Sequence, residues 1–422
     1  MILYITIFIL LASLDALYHL YGARKTLRIA GISLLSFLGL ILLLAILVHF
    51  TAVQNFLVRQ ASKRLSAQLK TEVRIGHVRF EFFDRMLLQD ALVEDRNQDT
   101  LFYAGLITVR VTDFFFLKKR PVLHYVRLDH TRINLSRNGK DPVWNYQFLL
   151  DALSSPGANS DTGKNGMDLD LRQLDLTDLI IRKTDGWDGS DMTLSLSSLH
   201  LNARSLDLKK KTLSVNEIRV ISPRFTLRDY PGHTPAASTP SENAQSGGTP
   251  LHLFAKLISV KNGSFSLSTQ NQAPVPGYFD PGNIRWTAIN ATLTNTRMVR
   301  DSLFTRLVLS GKEGSGLEVR KLSARFKLSP VEMEFADLDL QTNRSVLRNY
   351  FAMHFSRFSD LGDFLQKVSM VARFQGCTLS SDDLAIFAPT FSGWHMSFQA
   401  RGEIRGTVAN LNARGLDLRS RS

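Results

Sequence analysis

The chain has 422 residues, carries 51 Lys and Arg against 38 Asp and Glu, and is 44% hydrophobic. This hydrophobic content excludes a wholly disordered chain, and the single cysteine, Cys377, excludes an internal disulfide. The net charge of +13 favours anionic partners, yet no motif of a nucleic-acid-binding module is present. We therefore expect acidic phospholipid rather than nucleic acid as the anionic partner.

The first feature in chain order is an apolar N-terminus. Residues 29–50 contain no Asp, Glu, Lys or Arg. A helix of this length spans roughly 33 Å, which is enough to cross a bilayer, and we predict a retained transmembrane anchor. Arg24, Lys25 and Arg28 precede it, so the positive-inside rule places residues 1–28 as a cytoplasmic or membrane-associated leader. Residues 1–21 are also apolar and leave open a second span, which would return the main body to the cytoplasm.

An amphipathic helix is predicted directly after the anchor. Within residues 51–70, apolar side chains such as Phe56, Leu65 and Leu69 recur at steps of three and four residues or their sums, and basic residues mostly occupy other positions. The basic face suits phospholipid headgroups, and the same helix is equally suited to cap the end of a sheet.

Period-two alternation dominates residues 71–422, which predicts a mainly β fold. In the segment around residues 192–203 the apolar phase changes between Leu196 and Leu199, as a bulge or a turn would produce. Loop insertions are predicted near 154–166 and 231–250, which are rich in Pro, Gly and Ser. Short helices are predicted at four segments: Val143–Leu153, Ser345–Phe351, Asp360–Val368 and Asp382–Phe387.

So little helix cannot cover a large one-sided apolar sheet. Such a sheet must close on itself, pack on a second sheet or hold an apolar ligand. A long curved sheet with an unfilled apolar interior would be a lipid trough. In that case lipid would contact the inward strand residues, which we predict to include Ile133, Leu135, Leu169, Leu194, Leu196, Leu201, Leu322 and Phe326.

Part of the chain resembles a known family. After the anchor, VQNFLVRQASKRLSAQL (53–69) leads to a Gly-x-Val strand, Gly76-His77-Val78, and then to an alternating strand that ends in acidic residues, 87–95. Residues 29–230 in this respect resemble the N-terminal portion of the AsmA-like superfamily, in particular the TamB type of translocation and assembly module protein. These motifs are general patterns of residues, and none is as specific as a metal-ligand signature.

The resemblance implies an elongated, curled β-sheet, called a β-taco, with an apolar groove. It implies a single-pass inner-membrane anchor with the main body in the periplasm. A protein of this kind would move phospholipids between the inner and outer membranes and support outer-membrane biogenesis, with an Omp85-type barrel as a possible partner.

Three other functions remain open at this stage. The chain could be a scaffold or chaperone that assembles outer-membrane proteins with an Omp85-type barrel, without lipid transport. It could be an envelope β-solenoid with no transport role, or an enzyme with an unfamiliar site. No G-x-S-x-G elbow, nucleotide loop or helical histidine pair is present, so we expect no catalytic residues, no cofactor and no metal site.

Overall fold

The computed structural model describes most of the chain after residue 50. The described residues are 51–81, 85–111, 122–154, 168–207, 212–233, 252–357, 360–361 and 364–421, together with four helical positions in the expected anchor, Ile32, Leu35, Ser36 and Gly39. The expected leader, 1–28, and the remainder of the expected anchor, 29–50, lie outside the described residues. Within the described part, no helix combines the length and the apolar character that a membrane crossing requires.

The described chain is mainly β, as the alternation predicts, and its 18 strands belong to one mixed sheet. The strands are β1 Val73–Arg74, β2 His77–Glu81, β3 Arg85–Glu94, β4 Thr100–Val111, β5 Val122–Arg137, β6 Asp168–Asp185, β7 Ser190–Asp207, β8 Thr212–Ile221, β9 Arg224–Asp229, β10 His252–Thr269, β11 Asn283–Val299, β12 Ser302–Glu313, β13 Glu318–Ser329, β14 Glu332–Gln341, β15 Val346–His354, β16 Ser369–Ser380, β17 Ser397–Thr407 and β18 Asn410–Arg421.

The strands pair largely in chain order. Antiparallel pairs join β3 to β4, β4 to β5, β6 to β7, and every consecutive pair from β10 to β18. Strands β1 and β2 both pair with β3. Strands β8 and β9 lie end to end, because both pair with β7 on one side and with β10 on the other. The result is a single sheet whose long axis crosses the strands.

The two loop insertions coincide with the parallel pairings. Strand β5 pairs in parallel with β6, and β9 pairs in parallel with β10. A parallel pair needs a crossover of a dozen or more residues, whereas an antiparallel pair needs only a short turn. The segments 154–166 and 231–250 fall within these two crossovers, and most of their residues lie outside the described part of the chain.

The helices are short after the first one. They are α1 Thr51–Leu69, α2 Gln147–Ser154, α3 Phe364–Lys367 and α4 Ser381–Ala385, followed by a 3-10 turn at Pro389–Phe391. Three of the four predicted short helices therefore exist within the expected segments or one residue beyond them. The fourth prediction, Ser345–Phe351, is wrong, since that segment lies in β15 and pairs with a strand on each side.

Helix α1 packs on the end of the sheet formed by β1 and β2. Among the side chains of this helix that the structure describes, Val58 and Ser62 are buried. The Val73 backbone N–H donates to Ser66 Oγ at 2.8 Å. Phe56 and Leu65, two members of the expected apolar stripe, are exposed. The segment expected at 51–70 is therefore a helix that caps the sheet, but those two stripe residues do not pack on it.

A line of left-handed backbone conformations crosses the first half of the sheet. Asp90, His130 and Asp178 have φ of 52°, 51° and 51°, and they occupy the same level of β3, β5 and β6. Ser222 and Asn262, with φ of 50° and 51°, continue the line between β8 and β9 and in β10. At Asn262 the register between β10 and β11 shifts, which is a β-bulge, whereas Asp90, His130 and Asp178 redirect their strands without any change of register. We call this line of left-handed residues the bulge line.

The apolar phase changes at this line, and burial is greatest beside it. Five residues of β3 to β7 lie in register with one another immediately beside this line and are only 0–8% exposed: Ala91, Ala104, Thr131, Leu179 and Leu196. The phase change expected between Leu196 and Leu199 lies on the same line, inside the continuous strand β7. It is thus not a turn, and it is not a bulge between β6 and β7 either, since the register of these strands is the same on both sides. The left-handed residues at this level change the apolar phase of neighbouring strands together.

The left-handed conformation of Asp178 restricts which side chains this position tolerates. Asp178→Val should lower the free energy of unfolding by about 1–2 kcal/mol relative to Asp178→Gly, because a β-branched side chain disfavours positive φ and glycine does not. Both variants lose the contact between His130 Nδ1 and Asp178 Oδ2, which is 2.9 Å, so the comparison isolates the backbone. Urea unfolding of the two variants measures the difference. Equal midpoints would show that the strand accommodates valine at this position without loss of stability.

Candidate functional site: an apolar face along the whole sheet

Cross-strand register places apolar residues in one unbroken row along the sheet. Each residue of this row is the registered partner of the next, and none is polar. We call the following thirteen residues the long row: Val78, Leu88, Ile107, Leu128, Leu176, Leu199, Val220, Val260, Ala291, Leu309, Leu322, Leu340 and Leu347. With neighbouring strands about 4.8 Å apart, the long row spans roughly 58 Å.

Further apolar rows lie on the same face. The second row is Met86, Val109, Val126, Leu174, Leu201, Ile218, Ile258, Leu293, Leu307 and Ala324. The third row is Val73, Val93, Phe102, Ile133, Ile181, Leu194, Phe225, Phe265 and Trp286. The fourth row is Phe326, Phe335, Phe351, Ala372, Ile404 and Ala413. These four rows together are called the apolar face below.

Aromatic side chains contact one another along two of these rows. The ring centroids of Phe326 and Phe335 are 5.0 Å apart, and those of Phe335 and Phe351 are 6.3 Å apart. In the third row, Phe225 and Phe265 stack with centroids 6.0 Å apart. Such contacts order neighbouring side chains into a continuous apolar strip.

The apolar face is not covered by another layer of the described chain. Of the long row, only Val78, which lies in the β2 end of the sheet next to α1, is buried, and the other residues are half-buried. Among the described residues, the side chains that are less than 2% exposed include no Leu, Ile, Met, Phe or Trp. In a packed core such large side chains are the ones most often fully buried. The sheet therefore keeps a large apolar surface in contact with its surroundings.

Five of the eight residues expected to contact lipid lie in these rows. Leu322 belongs to the long row, Leu201 to the second, and Phe326 to the fourth. Ile133 and Leu194 belong to the third.

The remaining three expected residues differ from one another. Leu196 is only 6% exposed, because it lies among the buried residues beside the bulge line. Leu135 is half-buried and faces Lys183, and Leu169 is the registered partner of Leu123, although its side chain lies outside the described residues. Phe225 and Trp286 also belong to the apolar face but were not among the residues predicted to contact lipid. The alternation of apolar and polar residues in β9 and β11 would have indicated them.

One end of the apolar face carries a charged cluster that the sequence analysis also missed. The fully buried carboxylate of Asp185 accepts hydrogen bonds from Arg137 Nε at 2.6 Å and Arg137 Nη2 at 2.9 Å, and Lys183 Nζ is 2.9 Å away. The Arg137 guanidinium and the Lys183 ammonium also lie 4.6 Å and 5.4 Å from the Trp144 ring centroid. Burial by itself raises the pKa of Asp185, but hydrogen bonds from the two cations outweigh it, so this pKa lies well below its usual value.

The opposite face of the sheet is polar and carries cross-strand ion pairs. Lys321 Nζ and Asp339 Oδ2 are 2.7 Å apart, and Arg373 Nε and Glu403 Oε2 are 3.2 Å apart. Exposed pairs of this kind contribute at most about 1 kcal/mol each. Their effect is to make the two faces of the sheet chemically different, one wettable and one apolar.

The arrangement offers an apolar surface with charge at one end. Among the described residues, no group of three or more His, Cys, Asp or Glu side chains is placed to hold a metal ion. What such a surface can do chemically is solvate the hydrocarbon part of a ligand. No protein-family model matches the chain, and no curated protein sequence matches it significantly.

Proposed function

We propose that the apolar face binds the acyl chains of phospholipids and that the protein carries lipid between two membranes. The supporting observation is the long row, which is unbroken across the sheet and half-buried with no covering layer. An acyl chain occupies about half of a bilayer core, or roughly 15 Å, so a row of roughly 58 Å could hold chains at several positions.

In this proposal the sheet curls towards its apolar face to form a groove. The bulge line supports the curl, because left-handed residues at one level change the direction of several neighbouring strands, and the residues beside the line are only 0–8% exposed. Small residues such as Ala91, Ala104 and Thr131 occupy the inside of the bend, where larger side chains from neighbouring strands would collide. The curled groove agrees with the architecture that resemblance to the TamB type implies.

The cellular setting is part of the same proposal. The protein is anchored by residues 29–50 in an inner membrane, and its sheet extends through the periplasm towards an outer membrane. The sequence of the anchor and the basic residues before it support this placement. The packing of α1 on the β1 and β2 end of the sheet would put that end of the groove next to the anchor.

Photocrosslinking tests the binding of lipid to the apolar face. A photoreactive amino acid at Leu201 or Leu322 should form phospholipid adducts in cells, detected by mass spectrometry of the purified protein. The matched controls are Asn202 and Ser323, which are the next residues and belong to the polar face. Adducts at all four positions in equal amount, or at none, would contradict a lipid-bearing apolar face.

A second candidate function is a scaffold that binds another β-strand. Strand β18 has a registered partner, β17, on only one side within the described sheet, and Leu411 and Leu418 are exposed on it. An exposed edge strand is a template for pairing with a further strand, such as one from an outer-membrane barrel protein. Crosslinks from β18 to a barrel protein, with no lipid on Leu201 or Leu322, would favour the scaffold.

A further inference from the structure

The polar face contains an unusual patch of aromatic and basic side chains on β10–β13. Phe254 and Phe304 are exposed there, although most large apolar residues of these strands occupy the other face. Arg297 lies between them, since Phe254 and Phe304 are its registered partners on β10 and β12. Two residues further along β12, Arg306 lies on the same face as Phe304 and directly opposite Arg325.

The charges of this patch are not balanced within the described chain. Arg325 pairs with Asp337, and Lys327 pairs with Glu332. By contrast, no carboxylate of the described residues lies within ion-pair distance of Arg297 or Arg306. Arg306 and Arg325 lie directly opposite each other on adjacent strands, where like charges cost stability. Asp337, whose pKa both arginines lower, is one carboxylate shared between them, so it offsets this cost only in part. An anionic ligand would remove that cost.

A cavity of about 420 Å³ lies at this patch. Arg297, Phe304, Arg306, Arg325 and Lys327 contribute to its lining, and Glu334 is the one carboxylate there. Burial and the neighbouring Glu334 carboxylate raise the pKa of Tyr350. The volume lies in the range of sites for small ligands, which usually combine an apolar wall with a few polar groups.

A bulge re-aims the backbone at the same place. Thr294 is opposite Arg306 and Arg297 is opposite Phe304, so β11 has two residues, Asn295 and Thr296, where β12 has one. Asn295 has a φ of 55°. Bulges are common beside binding sites because they change the direction of neighbouring side chains.

We propose that this patch binds the phosphate group of an anionic amphiphile, with Arg297 and Arg306 holding the phosphate and Phe254 and Phe304 contacting the apolar part. A phosphate has enough acceptor oxygens for two guanidinium groups, and arginine contacts such groups in a bidentate manner. The site is on the face opposite to the proposed lipid groove and is independent of it.

Binding to the purified full chain in detergent or nanodiscs tests the proposal. The probes are dihexanoyl phosphatidic acid, dihexanoyl phosphatidylcholine and inorganic phosphate, with binding followed by calorimetry at low salt. Arg297→Gln and Arg306→Gln should each weaken phosphatidic acid binding by about tenfold or more, because each removes a charge-assisted contact. Arg297→Lys should retain part of the affinity, which shows that the variants are folded.

Two comparisons separate this site from other causes. Arg224→Gln removes another exposed arginine of the polar face, in β9, and should leave the affinity unchanged. Arg297→Gln and Arg306→Gln lie on the polar face and should leave the phospholipid adducts at Leu201 and Leu322 unchanged, so failure of the groove and failure of this site are distinguishable. Equal weakening by Arg224→Gln, or binding of phosphatidylcholine as strong as that of phosphatidic acid, would overturn the proposal. Equally strong binding of inorganic phosphate would overturn the role of the two phenylalanines.

Discussion

Leu199→Asp is expected to reduce the phospholipid that co-purifies with the protein by about tenfold or more. Leu199 is in the middle of the long row, with Leu176 and Val220 as its registered partners. If hydrocarbon covers this row, an ionised carboxylate there loses its hydration, which costs several kcal/mol. A charge at the centre of the row would also block passage of lipid from one end to the other. Quantitative lipid mass spectrometry of the purified variant measures the loss.

The controls for this prediction separate charge from size and from folding. Ser198→Asp places the same charge on the adjacent residue, which belongs to the polar face, and should retain the lipid. Leu199→Ala removes side-chain volume without adding charge and should lose much less lipid than Leu199→Asp. Leu322→Asp repeats the test at a distant position of the long row. The same lipid content in Leu199→Asp and Ser198→Asp would exclude the apolar face as the lipid site.

Asp185→Ala is expected to lower the free energy of unfolding by about 3–5 kcal/mol, at least for the part of the sheet around β5–β7. Asp185 is fully buried and neutralises Arg137, whose side chain is only 13% exposed, as well as Lys183. Removal of one member of a buried ion pair leaves the other charge without compensation, which costs far more than loss of an exposed pair. Denaturant unfolding, followed by a probe near Trp144, measures the change.

Asp188→Asn is the matched control for Asp185. Asp188 also pairs with Arg137, but its side chain is 55% exposed. Loss of this exposed partner should cost less than about 1 kcal/mol. If both variants were destabilised equally, burial of Asp185 would not be the source of the effect.

The same carboxylate predicts how stability depends on pH. The pKa of Asp185 is lower in the folded protein than the value near 3.9 of an unfolded aspartate. A lowered folded pKa stabilises the fold above about pH 4, and this contribution is lost as the pH falls below about 4. The unfolding midpoint of the native protein should therefore drop between about pH 5 and 2. Asp185→Asn should lack this component, and an identical pH profile in the variant would contradict the assignment.

Local sequence patterns were sufficient for most of the elements. Residues in strands alternate between apolar and polar because one face avoids water, and this alternation is visible without any knowledge of pairing. The segment Ser345–Phe351 shows where local pattern fails. Its Val346, Leu347, Tyr350 and Phe351 fit a helix, but β14 and β16 satisfy the backbone hydrogen bonds of that segment as a central strand. Pairing partners decide such cases, and a single sequence does not contain them.

The apolar face itself was only partly predictable. Alternation indicated which residues of each strand point to the same side, and the phase change between Leu196 and Leu199 indicated a bulge or a turn without deciding between them. It could not show that thirteen apolar residues from successive strands align in one row, because alignment depends on the register of every pair. Nor could it show that Lys183 interrupts a neighbouring row, or that Leu196 is buried beside the bulge line.

The sequence by itself determined the class of fold, the two loop insertions and the chemical difference between the faces of the sheet. These follow from composition and local periodicity, which act over a few residues. Only the tertiary structure decided the register, the bulge line, the burial of Asp185 and the meeting of Arg297, Phe304 and Arg306. Each of these depends on contacts between residues far apart in the chain, and no local sequence pattern predicts such contacts.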